Sequence, residues 1–264
     1  MADIAADRRA LQVLHQQDLA DVERLFPGPA YRDVLGWIHD YRRPRNYLEI
    51  GVNLGLSFAL TRPETRAVGV DPAPNLSLPV TGRIFEETSD AFFARPDLRD
   101  IVDAPVELAF VDGLHSFDQT LRDFINVERI AAPDSLIVLH DVHPFRPEVA
   151  TRDRRRIFWT GDVWKTAAIL RQERPDLSLT YVPASPSGML LVTGLDPASK
   201  HLDGRFDTLV DSWMPRSLPD NTAEVVAGFA SITNTEAAVC DYLSRVVDRP
   251  ASAEALRPEP RGPH

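Results

Sequence analysis

The chain has a single cysteine, Cys240, among 264 residues. One thiol excludes an intramolecular disulfide and any multi-cysteine zinc or iron–sulfur site. Long apolar runs are missing too, and without a stretch of about 18 such residues no transmembrane helix is expected. The opening MADIAADRRALQVLHQQDLADVERLF carries acidic groups throughout and lacks the apolar core of a secretory signal, so a cytoplasmic location is expected. Basic residues are in deficit, 29 Lys+Arg against 39 Asp+Glu, for a net charge of −10. That balance argues against non-specific binding to nucleic acid or anionic membranes, because both need basic surface. Glycine is scarce beside proline, 13 against 22, and many prolines fall in connections, in residues 143–162 and near the C-terminus, where they mark boundaries.

What is present is ordinary globular composition, 44% hydrophobic and 26% charged. Residues 4–25 have helical spacing (Leu11, Leu14, Leu19, Val22, Leu25) and read as one or two amphipathic helices; Ala30–Tyr41 reads as another. Short apolar runs follow: Asn46–Ile50, Ala67–Val70, Arg83–Phe85, Val106–Val111, Leu136–Leu139, Ser178–Val182 and Met189–Val192. Helical patterns at Leu56–Thr61, Ser89–Ala94 and Ser116–Ala131 lie between the first five. Such alternation predicts an α/β fold with a parallel sheet covered on both faces. The last two runs, separated by PASPSG, predict a closing antiparallel hairpin. Arg205–Trp213 and Ala223–Val247 read as helices, with Asn221 or Thr222 as N-cap of the second. The expected division is a helical cap over 1–44, a cofactor-binding domain over 45–195, a helical extension over 196–248 and a disordered tail over 249–264. The terminal helices are candidates for a homo-oligomer interface.

The first strand ends in Glu49-Ile50-Gly51-Val52-Asn53-Leu54-Gly55, a Glu-x-Gly-x-x-x-Gly turn at a strand-to-helix junction. Gly51 permits a backbone conformation barred to side chains and a close ligand approach. A nucleotide-sized ligand there would lie outside the carboxyl ends of the strands. The second strand ends in Asp71, placed to accept hydrogen bonds from ribose hydroxyls. The spacing is not the Gly-x-Gly-x-x-Gly of dinucleotide binders, which disfavours an NAD-dependent oxidoreductase. Together with Val111-Asp112-Gly113-Leu114-His115-Ser116, these motifs resemble class I S-adenosylmethionine-dependent methyltransferases. The Asp-Gly-x-His-Ser segment and His140-Asp141 are similar to the small-molecule branch with macrocin-type O-methyltransferases and cephalosporin-hydroxylase-like proteins. The resemblance spans about residues 45–195. It implies a Rossmann-like seven-stranded sheet with its last strand antiparallel. It also implies an S-adenosylmethionine site formed by Glu49, Gly51, Asn53, Gly55, Asp71 and Asp112, with Glu87, Thr88 and Ser89 near the adenine.

Methyl transfer needs an acceptor in line with the methyl group and a place for its proton. Asp112 and His115 after the fourth strand, and His140, Asp141 and His143 after the fifth, converge on one crevice; His115 is the candidate base, with Asp112 and Asp141 beside it. By position, metal-dependent relatives imply ligands at Asp112, His140 and Asp141. The imidazole departs from the oxygen donors that magnesium prefers. Magnesium on Asp112 and Asp141, a borderline ion such as Mn²⁺, Fe²⁺ or Zn²⁺, and no metal all stay open. Asp118 and Asp123 read as the start and solvent face of the following helix. Residues 143–162, HPFRPEVATRDRRRIFWTGD, read as a lid. Arg152, Arg154, Arg155 and Arg156 are candidates to take an anionic substrate group; His143, Trp159 and Trp164 are further candidate substrate contacts; and Thr160 or Asp162 is the expected N-cap of the next helix. The functional expectation is O-methylation of a small-molecule hydroxyl in specialised metabolism, oxygen entering only by resemblance. A cofactor-binding accessory protein without methyl transfer is the alternative.

Overall fold

The computed structural model describes residues 2–246, so the tail expected over 249–264 lies outside the described residues. Two helices lead in: α1 (Ala2–Leu25), one continuous helix, and α2 (Tyr31–Arg42), whose first turn is held by Asp33 accepting the Ala30 N–H at 2.8 Å. Strands β1 (Asn46–Ile50), β2 (Arg66–Val70) and β3 (Arg83–Phe85) follow, then short helices α3 (Ser89–Phe93) and α4 (Leu98–Val102). Next come β4 (Val106–Val111), α5 (Phe117–Ile130), β5 (Ala131–His140), α6 (Trp164–Glu173), β6 (Ser178–Val182) and β7 (Met189–Thr193). The chain ends with α7 (Phe206–Trp213), β8 (Ala230–Ser231) and α8 (Glu236–Val246). Among the described residues no helix is long and apolar enough to cross a membrane.

The sheet order is β3-β2-β1-β4-β5-β7-β6-β8. The first five strands pair in parallel, and β7 runs antiparallel to both β5 and β6. This is the doubly wound sheet with a closing hairpin that the alternation predicts. It has eight strands rather than seven, because Ala230–Ser231 add to the far side of β6. The central strands β1 and β7, and β5 from Ser135 to His140, are buried on both faces, which is why they read as largely apolar runs. One face packs Phe117, Leu121 and Phe124 of α5 with α6 and Trp213 of α7. The other packs Val34, Leu35 and Ile38 of α2 with Val239, Tyr242 and Leu243 of α8. The buried faces of α2 and α8 are therefore turned to the chain's own sheet.

Three local expectations are corrected. Leu56–Thr61 is not a helix; only Phe58–Leu60 makes a 3-10 turn, closed by Thr61 Oγ1 donating to the Phe58 carbonyl. Ala223–Val247 is not continuous. Asn221 caps a 3-10 turn over Thr222–Val225, β8 follows, and only then does α8 begin. Neither Thr160 nor Asp162 caps α6, whose N-cap position is Val163. Instead Asp162 accepts the Phe117 N–H at 2.9 Å, capping α5 across 45 residues of sequence.

Candidate functional site

Strand order reverses at β1, which has β2 on one side and β4 on the other. Loops leaving the carboxyl ends of such strands diverge and open a crevice. Here it is a cavity of about 640 Å³ lined by residues that follow β1, β2, β3, β4 and β5. A cavity of this size suits a small molecule or cofactor.

The turn after β1 is built for close backbone approach. Gly51 has φ +89, and a Cβ on it would run into the carbonyl oxygen of Asp112, so the turns after β1 and β4 touch there. Asp71 braces the same turn. One carboxylate oxygen accepts the N–H groups of Val52 (3.0 Å) and Asn53 (2.7 Å), the other that of Ala73 (2.8 Å). Asn53 adopts a left-handed φ of 45, and it, Gly51 and Asp71 all line the cavity. Glu49 and Gly55 do not line it. Glu49 is fully buried beneath the turn, accepting the hydroxyls of Tyr47 and Ser57 at 2.6 Å each. Burial pushes its carboxyl up to about 8, against the two hydroxyl hydrogen bonds.

At the end formed by the turn after β3, Thr88 and Ser89 line the cavity, whereas Glu87 is turned aside and ion-paired with Arg95 at 3.3 Å. Asp123, expected on a solvent face, is buried and lines the same end. It accepts a hydrogen bond from Gln119, one turn earlier on α5, at 3.0 Å. Burial pushes Asp123 up to about 6.

The opposite end concentrates the titratable groups. His115 Nε2 lies 3.4 Å from Asp112 Oδ1, and its Nδ1 lies 3.0 Å from Asp141 Oδ2. His115 (φ 57) and Asp141 (φ 60) both occupy the left-handed region, which is uncommon for residues with side chains. Burial disfavours charge on His115, but the Asp141 and Asp112 carboxylates outweigh it and hold its pKa well above the usual range. Asp112 is correspondingly held below the ordinary carboxylate range: burial opposes ionisation, and His140 and His115 overcome it. One ligand atom each from Asp112, His115 and Asp141 lies within 4.8 Å of the others. His140, expected as the third ligand, is not in that group. It sits behind Asp112, Nδ1 at 3.1 Å from Oδ1, with its ring 4.2 Å from that of Tyr31. With His115 as a ligand the set of two carboxylates and one imidazole fits a borderline divalent ion, and with His115 free as a base the two carboxylates remain as oxygen donors.

Among the other substrate candidates, Trp159 lines the cavity and stacks on His115. His143 does not; it is buried, hydrogen-bonded through Nδ1 to the Tyr181 hydroxyl at 2.7 Å, and burial lowers its pKa to about 4. Trp164 is buried in the core against Trp213. Arg152 is committed to Asp118 (2.9 Å) and Asp162 (3.3 Å), and Arg156 to the buried Asp18 of α1 (2.8 Å). Of the arginine run only Arg154 lines the cavity. Sequence reasoning missed Tyr31, Arg32 and Ser187. Ser187, in the β6–β7 turn, donates to Asp141 Oδ1 at 2.5 Å. The Gln119/Asp123 spacing of four on α5 was a readable signal for Asp123; nothing local marked Tyr31 or Ser187.

Residues 48–142 match the model of a family described as a methyltransferase domain. Every strand end from β1 to β5 lies within that match. Over this segment the chain is similar to that family. The sheet is the class I arrangement that the resemblance implied, with β8 added. Among solved structures, the matched segment and its flanks are similar to the O-methyltransferase TomG of Streptomyces achromogenes, at 20% identity and a TM-score of 0.44, covering 67% of this chain and 87% of that one. An O-methyltransferase from Bacillus cereus is similar at 18% identity and 0.44, covering 69% and 89%. A Podospora anserina methyltransferase is similar at 16% and 0.46, covering 62% and 78%. No curated protein matches the chain.

Proposed function

We propose that the chain transfers a methyl group from S-adenosylmethionine to a hydroxyl of a small molecule. The observation that carries this reading is the His115–Asp112–Asp141 cluster, set in a cavity at the strand ends of the segment that matches the methyltransferase family. Gly51, Asn53 and Asp71 line the turn after β1, which would hold the amino-acid and ribose parts. Thr88, Ser89 and Asp123 would receive the adenine. Glu49 acts from below, fixing Tyr47 and Ser57 rather than touching the ligand.

In the transfer, the acceptor oxygen gains the carbon, the carbon–sulfur bond breaks toward sulfur, and the hydroxyl proton must leave. His115 is the group to receive it, oriented by its contact with Asp141 and its stack on Trp159. A divalent cation on Asp112 and Asp141 would neutralise the charges that keep the His115 ring protonated and would polarise an acceptor hydroxyl. The base role and the cation are thus linked. The place in specialised metabolism rests on the macrocin-type resemblance of Asp112–Ser116.

Calorimetry with S-adenosylhomocysteine tests the cofactor assignment, and no binding at high micromolar concentration overturns it. His115→Ala should lower turnover by roughly 10²–10⁴-fold with cofactor affinity retained. Equal loss of both would point to structural damage. A chelator should abolish turnover and a divalent ion restore it. The two carboxylates that flank the His115 ring, and so disfavour its neutral form, are the observation behind a second reading, cofactor binding without transfer. Tight S-adenosylhomocysteine binding with no methylated product across an acceptor library would select it.

A further inference from the structure

The arginines around the cavity fall into two sets. Arg146, Arg152, Arg155 and Arg156 are each ion-paired, with Asp21, Asp118, Asp153 and Asp18 respectively. Arg32 and Arg154 both line the cavity, and among the described residues no carboxylate forms an ion pair with either. The Arg32 guanidinium lies 5.3 Å from the Tyr31 ring centroid, and Arg154 donates only to the Ile157 carbonyl at 3.3 Å.

The carboxylates lining the same cavity are all engaged. Asp71 accepts backbone amides, Asp112 and Asp141 face His115 and His140, Asp123 takes Gln119, and Asp90 lies 3.8 Å from Arg122. Arg32 and Arg154 are therefore the cavity-lining guanidinium groups that have no carboxylate partner among the described residues.

The mouth is also apolar. Leu114 is 64% exposed and Ile157 55%, and Leu54 and Leu56 are exposed as well; all four line the cavity. Single exposed leucines are unremarkable, but several around one opening form a patch that suits a binding surface. Behind them Phe145, Phe158 and Trp159 wall the interior.

We propose that the molecule taken by this cavity beside the cofactor is an apolar organic anion, its hydrocarbon body against the leucine and aromatic walls and its oxyanion held by Arg32 and Arg154. This rests on the methyl-transfer reading only in naming that molecule the acceptor; the arginine pair and the apolar mouth stand without it.

The test uses two fluorescent probes that differ by one charge, 8-anilinonaphthalene-1-sulfonate and neutral N-phenyl-1-naphthylamine, titrated onto the full chain. The sulfonate should bind at least tenfold more tightly than the amine. In the Arg32→Gln/Arg154→Gln double variant that preference should vanish, with amine affinity unchanged within about twofold, and lysine at both positions should restore part of it. Displacement by 1-naphthoate or by 1-naphthyl phosphate distinguishes a carboxylate from a phosphate ligand. Failure of the sulfonate to bind, equal binding of both probes, undiminished sulfonate binding in the double variant, or displacement by neither naphthyl anion overturns the proposal. S-adenosylhomocysteine affinity, measured on the same proteins, should be unaffected by the substitutions. If that ligand binds neither protein, the methyl-transfer reading fails while the probe selectivity still judges the arginines.

Discussion

The imidazole of His115 lies almost flat on the indole of Trp159, centroids 5.0 Å apart and planes 12° from parallel, and its Nδ1 is 2.7 Å from the Trp159 carbonyl oxygen. Two residues later Gly161, at φ +56, lets the chain pass directly against the His115 carbonyl. The turn after β4 and the connection before α6 thus fix each other, and the candidate base is held between them.

Gly161→Ala should be strongly destabilising. A Cβ there meets backbone that has no room to move, and a left-handed φ adds its own cost to alanine. We expect a loss of more than about 2 kcal/mol, at ~2–4 °C of Tm per kcal/mol for a domain of this size. Thermal unfolding of the two proteins measures it.

Trp159→Leu removes the stacking surface while leaving Asp112 and Asp141 in place. S-adenosylhomocysteine affinity should stay within about twofold, and kcat should fall roughly tenfold, about 1.4 kcal/mol of transition-state stabilisation. An unchanged kcat would show that the indole does not position the base.

Asp18→Asn tests the reach of α1. Asp18 is 1% exposed and takes Arg156 at 2.8 Å and Arg146 at 3.4 Å, while His15 of the same helix stacks on Phe158, a wall of the cavity. Both arginines keep some solvent contact, so the expected cost is about 1–3 kcal/mol, below that of a fully buried pair. Urea unfolding should register it, together with a raised KM for the acceptor at unchanged cofactor affinity.

Glu49 gives a pH signature. Its folded pKa of about 8 lies above the unfolded value, so the folded chain holds a proton that the unfolded chain has already released. Stability then falls as pH rises between about 4.5 and 8, by at most ~1.4 kcal/mol per pH unit from this group. Glu49→Gln cannot titrate there. Its unfolding free energy, plotted against pH from 5 to 8, should lack that decline, and a parallel course for both proteins would refute the assignment.

The parts of the fold legible in sequence were those set by local pattern. Asn46–Ile50, Val106–Val111 and Ser178–Val182 are apolar runs bounded by turn residues, and each is the strand the structure contains. Strand ends also announce themselves through Asp71, Asp112 and Asp141, since a carboxylate after a buried run must find polar partners. Relations that depend on tertiary approach were not legible. Asp162 looks like a cap for the helix beside it and instead caps one 45 residues away. Arg152 and Arg156 resemble free charges in a basic run, yet their partners lie on α5 and α1. Two-residue β8 is too short to leave a pattern, and it forms because β6 offers an edge.

Because β7 runs against β5, the turn that precedes it, rather than one that follows it, opens onto the site. Residues 183–188 are pinned at both ends by strands buried in the sheet, so Ser187 is carried on a short arc with little freedom to lose. The opposite wall, residues 143–163, is long and leans on helix-borne partners. The cavity has one short wall pinned in the sheet and one long wall held by ion pairs to α5 and α1. A change of substrate range, by evolution or by design, has its room on the longer side, with the hairpin as the fixed reference against which Asp141 is set.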